Sequence, residues 1–380
     1  MRVAIVAGET SGDLLAADLL TALTAQQPGI QAEGVTGPAL RAAGCATLED
    51  MESLSLMGLS EVLREVPRLW QLRQRLLQHW SDDPPDVLIG VDAPDFNLGL
   101  ERRLKARGIK TVHYVSPTVW AWRPGRVHGI ARAADRLLCL LPFEPDCYAQ
   151  TDLKAVFVGH PFAAQMQAVP PRETVRQELG IGADEPVLAL LPGSRRGEIA
   201  RLGAPLAGAV AQLKRRLPTL RILVPAANPG VLADFSRSLE VAGVRAAVDL
   251  HDGRLRELVR AADVALVTSG TATLETMLLG TPFVVAYRAS AVTNWLLRDL
   301  GLLKIPQVAL PNILAGREVA PEFLQQAASA GNLAAACYQL LTRPHLAQAQ
   351  REAFAPLARQ LDKPSGELAA REVLSLCAAG

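Results

Sequence analysis

Two short stretches carry residue types that can do chemistry. In VDAPDFN, Asp92 and Asp95 directly follow the apolar run 86–90. A carboxylate just past the carboxyl end of a strand lies where open α/β sheets place ligands, and it can act as general base toward a hydroxyl nucleophile. Asp95 suits the cap of a helix beginning near Asn97, which leaves Asp92 as the candidate base. In SGTATLE at 269–275, Ser269, Gly270 and Thr271 leave free backbone N–H groups at a helix start, a site suited to phosphate. Glu275 lies four residues after Thr271, on the same helix face, where it can accept hydrogen bonds from the vicinal hydroxyls of a ribose. The same residues also fit an ordinary βα turn, a capped helix with a surface charge.

Two glycine loops have related character. GETSGD at 8–13 offers Gly8 and Gly12 for a tight turn and Thr10 or Ser11 as helix cap, without the G-x-G-x-x-G spacing of a dinucleotide site. LPGSRRGEI at 191–199 sets Arg195 and Arg196 behind Gly193-Ser194, and a guanidinium beside free N–H groups clamps a diphosphate. Trp120, Trp122, Arg123 and Arg126 cluster in HYVSPTVWAWRPGRV; such a group lines an acyl or sugar site or plugs a domain edge. His160, beside Gly159 and Pro161, is read as structural.

The elements that must position these residues come in two sets. Apolar, β-branched-rich runs at 2–7, 86–90, 111–115, 136–141 and 156–158 form the first, and runs at 187–191, 221–224, 248–250, 264–267 and 283–287 the second. Val169-Pro170-Pro171 is the linker candidate, giving domains 1–168 and 172–349. The fold class is α/β, two Rossmann-like domains facing each other across a cleft. The helix expected from 271 to 279 stops at Gly280, and the loop of LPNILAG carries Asn312. Between 54 and 80 the apolar residues recur at helical spacing, with Pro67 expected to split the stretch into two helices. Arginines at 64, 68, 73 and 75 flank that stripe, as in an interfacial membrane helix, and an amphipathic pair covering the sheet fits equally.

Composition sets the outer limits. Lys+Arg 39 against Asp+Glu 38 gives +1 over 380 residues, which points away from nucleic acid. A 49% hydrophobic share fits large cores, and five scattered cysteines without a CxxC pair fit a reduced, cytoplasmic protein. No apolar run approaches the ~20 residues of a spanning helix.

Several segments together resemble the lipid-A-disaccharide synthase family in wording and order: GETSGD, VDAPDFN, HYVSPTVWAWRPGRV, LPFE, GHP, LPGSR, SGTATLE and PNILAGRE. The resemblance spans nearly the whole chain, with conservative departures such as Arg196 after LPGSR. It implies a GT-B glycosyltransferase joining UDP-2,3-diacylglucosamine to 2,3-diacylglucosamine 1-phosphate (lipid X), with inversion, to give the β-1,6-linked disaccharide phosphate and UDP. By that resemblance Asp92 is the base; Arg195, Ser269, Gly270 and Thr271 neutralise the diphosphate; Glu275 holds the ribose; Asn312 positions the donor; and Gly8, Ser11 and Gly12 face the donor from the other side. With no D-x-D motif, no metal or other cofactor is expected. Acylated substrates imply a peripheral protein on the cytoplasmic face of the inner membrane, with Val62, Val66, Leu69, Trp70 and Leu76 as acyl or membrane contacts. The last helix, about 350–380, is expected to pack back on the first domain, within one chain or between two in a homodimer. A UDP-N-acetylglucosamine 2-epimerase shares the architecture but needs no lipid-facing helices.

Overall fold

The computed structural model describes residues 1–54, 59–121, 124–226, 228–289 and 307–378, and over 59–65 the backbone alone. It divides into two compact units, Met1–Pro161 with Leu361–Gly380, and Phe162–Gln360.

The first unit is built on β1 (Arg2–Ala7), β2 (Gln31–Thr36), β3 (Ala46–Asp50), β4 (Val87–Val91), β5 (Lys110–Tyr114), β6 (Arg136–Cys139) and β7 (Lys154–Phe157). All pair in parallel, in the order β3-β2-β1-β4-β5-β6-β7. Its helices are α1 (Thr10–Gln26), α2 (Pro38–Ala42), α3 (Leu59–Asp82), α4 (Pro94–Lys105) and α5 (Val127–Ala133). A parallel sheet is covered on both faces, so its central strands are apolar throughout. Val3, Ile5 and Ala7 of β1 turn toward Leu15, Leu19 and Leu23 of α1, while Ala4 and Val6 turn toward Leu72, Leu76 and Trp80 of α3 and Leu100 of α4. The second cluster explains why α3 runs unbroken through Pro67. Proline removes one backbone hydrogen bond and crowds the preceding turn. The anchored apolar stripe that follows keeps the helix on line.

The second unit carries α6 (Pro161–Gln167), α7 (Arg172–Glu178), β8 (Val187–Leu191), α8 (Arg196–Arg216), β9 (Arg221–Ala226), α9 (Pro229–Val241) and β10 (Asp249–Asp252). It continues with α10 (Leu255–Ala261), β11 (Val264–Thr268), α11 (Thr271–Leu278), β12 (Phe283–Tyr287), α12 (Leu310–Ala315), β13 (Glu322–Leu324), α13 (Ala330–Thr342) and α14 (Pro344–Leu361). The parallel order is β10-β9-β8-β11-β12-β13. Arg260 donates to the Met166 carbonyl at 2.9 Å and Arg256 to Gln165 at 2.7 Å, so residues 162–167 belong here. The unit boundary therefore falls between Pro161 and Phe162 rather than at 169–171.

The last helix, α15 (Ser365–Ala378), returns to the first unit and lies on α1 of the same chain. Ala369, Ala370 and Val373 enter the core with Leu19, and Glu372 is held by Arg136 at 3.1 Å and Lys154 at 2.9 Å.

In both sheets the chain winds outward in opposite directions from a central pair, β1 with β4 and β8 with β11. At such a switch point the loops leaving the carboxyl ends diverge and open a crevice.

Candidate active site

At the first switch point β4 ends in Val91, and Asp92 (φ 53°) and Ala93 (φ 42°) both take the left-handed conformation. For residues other than glycine this costs of order 1–3 kcal/mol each and persists only where the surroundings enforce it. Here they do. The Asp92 N–H donates to the Tyr114 carbonyl at 2.8 Å, and Asn97 Nδ2 donates to the Asp92 carbonyl at 2.8 Å. The Asp92 carboxylate, half-exposed, has no hydrogen bond or ion pair among the described residues. Val115, just past neighbouring β5, is also left-handed at φ 83°.

Gly8 leaves β1 against this turn: a Cβ there would lie 2.9 Å from that of Ala93. Gly12 lies against Val91 and Asp92, and Ser11 is exposed beside it. α1 begins at Thr10 with Glu9 in the cap position, so neither Thr10 nor Ser11 caps it. The buried Asp13 carboxylate instead takes the N–H groups of Gly37, Ala39 and Leu40, which fixes the loop from behind. α4 begins at Pro94, three residues before the expected start. Asp95 is therefore no cap; it sits exposed and pairs with Arg126 at 3.1 Å.

Further along the same sheet edge, Glu144 is buried and accepts from the Leu140 and Leu141 N–H groups at 3.1 and 2.9 Å. Burial pushes its carboxyl up to about 7. Trp120 meets Phe143 edge-on at 5.4 Å, while Trp122 and Arg123 lie outside the described residues. His160 is buried, which lowers its imidazole to about 4 and keeps it neutral, in line with a structural role.

At the second switch point a cavity of about 410 Å³ is lined by Gly193, Ser194, Arg195, Ser269, Gly270, Thr271 and Glu275, among others. The arginine, hydroxyl and carboxylate candidates of this unit thus share one wall. The Arg195 side chain is 84% exposed and pairs with Glu198 at 3.8 Å. At the start of α11 the N–H groups of Gly270, Thr271 and Ala272 have no hydrogen-bond partner among the described residues. A helix N-terminus with free N–H groups attracts an anion. One Glu275 oxygen accepts from Arg256 Nε at 3.0 Å, which orients the carboxylate and leaves the other oxygen for a ligand. The Ser269 hydroxyl donates to the Val308 carbonyl at 3.0 Å.

Three expectations are corrected. The N–H groups of Ser194 and Arg195 are not free: the Glu198 carboxylate takes them at 2.9 and 3.3 Å. Gly193 (φ 111°) is required there, because a Cβ would run into that carboxylate. Asn312 is fully buried and spends its amide on the Val319 and Ala320 N–H groups, the Ala320 carbonyl and Glu322. It folds the 308–322 segment from inside and presents nothing to a donor. On α3, Leu76 is 4% exposed in the sheet-facing core and Leu69 is partly buried against it. Val66 (50%) and Trp70 (52%) do reach the surface, whereas the Val62 side chain lies outside the described residues.

Asn97, Glu198, Arg256 and Glu322 act in these sites without having been named as site residues, although Asn97 was expected to confine the turn at Asp92. Glu322 receives the Val308 and Ala309 N–H groups and so anchors the strand of chain that Ser269 touches. Only Glu198 carried a local signal, a Glu three residues into a helix. The other three act across 5, 13–14 and 19 residues of sequence, which local patterns do not encode.

Solved structures with the same fold include a UDP-GlcNAc 2-epimerase from Neisseria meningitidis bound to UDP-GlcNAc (15% identity, TM-score 0.65, all of both chains). A glycosyltransferase involved in lipopolysaccharide biosynthesis also aligns over all of both chains, at 17% identity and TM-score 0.57. These assign the GT-B architecture. The chain is 48% identical over 377 residues to a lipid-A-disaccharide synthase of Alkalilimnicola ehrlichii, covering 99% of this chain and 98% of that one. It is 44% identical over 376 residues to that of Yersinia pseudotuberculosis, covering 99% and 95%. A family profile described as lipid-A-disaccharide synthetase matches residues 3–373, and the chain belongs to that family.

Proposed function

We propose that the chain transfers a 2,3-diacylglucosaminyl group from UDP to the 6-hydroxyl of 2,3-diacylglucosamine 1-phosphate, with inversion. The observation that carries the residue roles is the division of labour between the two switch points. A free carboxylate on an enforced turn stands at one; a guanidinium and unbonded helix N–H groups stand at the other. Asp92 takes the proton of the acceptor hydroxyl as its oxygen bonds to the anomeric carbon and the bond from that carbon to the UDP oxygen breaks. The charge that develops on the departing diphosphate falls to Arg195 and the N–H groups of Gly270, Thr271 and Ala272. Glu275, oriented by Arg256, holds the ribose. No side chain forms a covalent intermediate, since a single displacement gives inversion.

The deciding experiment is a turnover assay with both acylated sugars in neutral detergent and EDTA, comparing wild type with Asp92→Asn. Disaccharide from the wild type, nearly abolished in the variant, supports the reading. A folded, UDP-binding wild type that makes none would overturn it.

No described helix is long and apolar enough to cross a membrane. The exposed Val66 and Trp70 support peripheral attachment through α3, on the cytoplasmic face where a nucleotide sugar is supplied. Val66→Ser with Trp70→Ser, leaving the core residues Leu72 and Leu76 intact, should release the protein from vesicles while keeping UDP affinity. Undiminished flotation would refute attachment through this face.

A further inference from the structure

A second cavity lies between α4 and α5. It encloses about 310 Å³ and is lined by Gly99 and Arg102 on one side and Gly125, Arg126 and Arg132 on the other. Arg73 of α3 reaches Gly99 at its edge, where a Cβ would come within 2.7 Å of the guanidinium. Arg73, Arg102 and Arg132 have no ion pair or hydrogen bond among the described residues, and Arg73 Nε is buried without a partner. The rim carboxylate Asp95 is engaged by Arg126. Burial, then Arg103 and Arg102, push the Arg73 guanidinium below its ordinary value. Like charges gathered without counter-charge are unfavourable until an anion joins them. Residues 66, 70 and 73 follow the i, i+4, i+7 spacing of one helix face, so the exposed Val66 and Trp70 share the face of α3 that carries Arg73.

We propose that this arginine groove binds the phosphate group of a membrane-resident lipid. The proposal rests on the reading of the chain as an enzyme working at a lipid surface. Planar guanidinium forks match phosphate oxygens pairwise, and glycines at 99, 125 and 129 keep the groove open to a headgroup. The phosphate has two sources, the bulk anionic lipid of the bilayer and the 1-phosphate of the acceptor. An arginine near a lipid surface contributes about 1 kcal/mol, roughly a fivefold change in affinity.

The test compares Arg102→Ser/Arg132→Ser with Arg102→Lys/Arg132→Lys and with Arg215→Ser/Arg359→Ser, an exposed pair outside the groove. Two readouts are taken: flotation with phosphatidylcholine vesicles with and without phosphatidylglycerol, and acceptor KM in neutral detergent. A fall of about 30-fold in binding to the phosphatidylglycerol vesicles, with KM unchanged, supports the groove and assigns bulk lipid as the source. A raised KM with kcat unchanged supports it and assigns the acceptor phosphate. In either case the lysine pair retains part of the effect. Equal losses from the Arg215/Arg359 pair would reduce the effect to net charge and overturn the proposal, as would no change in either readout. UDP affinity, followed throughout, reports folding. A wild type that makes no disaccharide counts against the enzymatic reading, while the vesicle readout still judges the groove.

Discussion

At the first unit's switch point, β1 and β4 part around a glycine and a carboxylate; at the second unit's, β8 and β11 part around an arginine and a row of unbonded N–H groups. The outward winding is the same, 3-2-1-4-5-6 in each unit's own numbering, with one strand more at the far edge of the first. The crevice is therefore a property of the topology, and its chemistry is a property of two loops. The loops are also held differently. In the first, the backbone is forced into two consecutive left-handed residues, and the acid there has no partner among the described residues. In the second, strain is small and the cost falls on charge: Glu198 occupies the N–H groups of the 193–195 loop, and Asn312 with Glu322 ties the neighbouring segment.

If this division holds, variants at the two points should fail in different ways. The largest effect expected is from Asp92→Asn, a fall of about 10³ in kcat with UDP affinity by calorimetry unchanged. A parallel loss of UDP affinity would break the distinction. Arg195→Ala should cost roughly 10²- to 10³-fold in kcat/KM and weaken UDP binding itself, with Arg195→Lys recovering only part. An Arg195→Ala protein that binds UDP normally would remove the guanidinium from the diphosphate role.

The acidic edge of the first unit should also make its stability depend on pH. Glu144 sits at about 7 against an ordinary 4.5, so between those values the folded state holds a proton that the unfolded state has lost. Stability contributed by this group is present below 4.5 and is lost as pH rises through 7, about 3 kcal/mol in all. His160, at about 4 against an ordinary 6.5, has the opposite slope: its contribution is present above 6.5 and lost as pH falls through 4. The two offset each other in the wild type. Glu144→Gln should therefore yield a protein whose denaturation midpoint rises from pH 4 to 6.5; an unchanged profile would mean that Glu144 ionises normally. The smallest effect expected is from Asn312→Ala, about 2 kcal/mol in urea unfolding from the hydrogen bonds lost. UDP affinity should change far less than in Arg195→Ala, because Asn312 works from inside the segment. A UDP defect as large as that of Arg195→Ala, without loss of stability, would return Asn312 to the donor.

Much of this was legible in the chain. The apolar runs located ten of the thirteen described strands, missing the more polar β2, β3 and β13, because parallel strands buried on both faces are apolar throughout, and turn residues at 8–12, 92–97, 193–195 and 269–271 marked all four switch-point loops. Boundaries were less legible. Pro67 and Pro170-Pro171 are breakers by local rule, yet core packing of α3 overrides the first, and Arg256 and Arg260 draw residues 162–167 into the second unit. Leu76 and Trp70 belong to one helical stripe, and only the packed sheet separates the side chain that meets core from the one that meets solvent.

The sequence by itself determined the α/β class, the family and the residue types at each crevice, because these rest on local pattern and on phrases of the chain. Tertiary structure alone decided that Asp92 sits in a left-handed turn, that Glu198 closes the loop before Arg195, that Asn312 faces inward and that three arginines line one groove. Each of those depends on which segments meet across the fold, and contacts between distant segments leave no periodicity in the sequence to read.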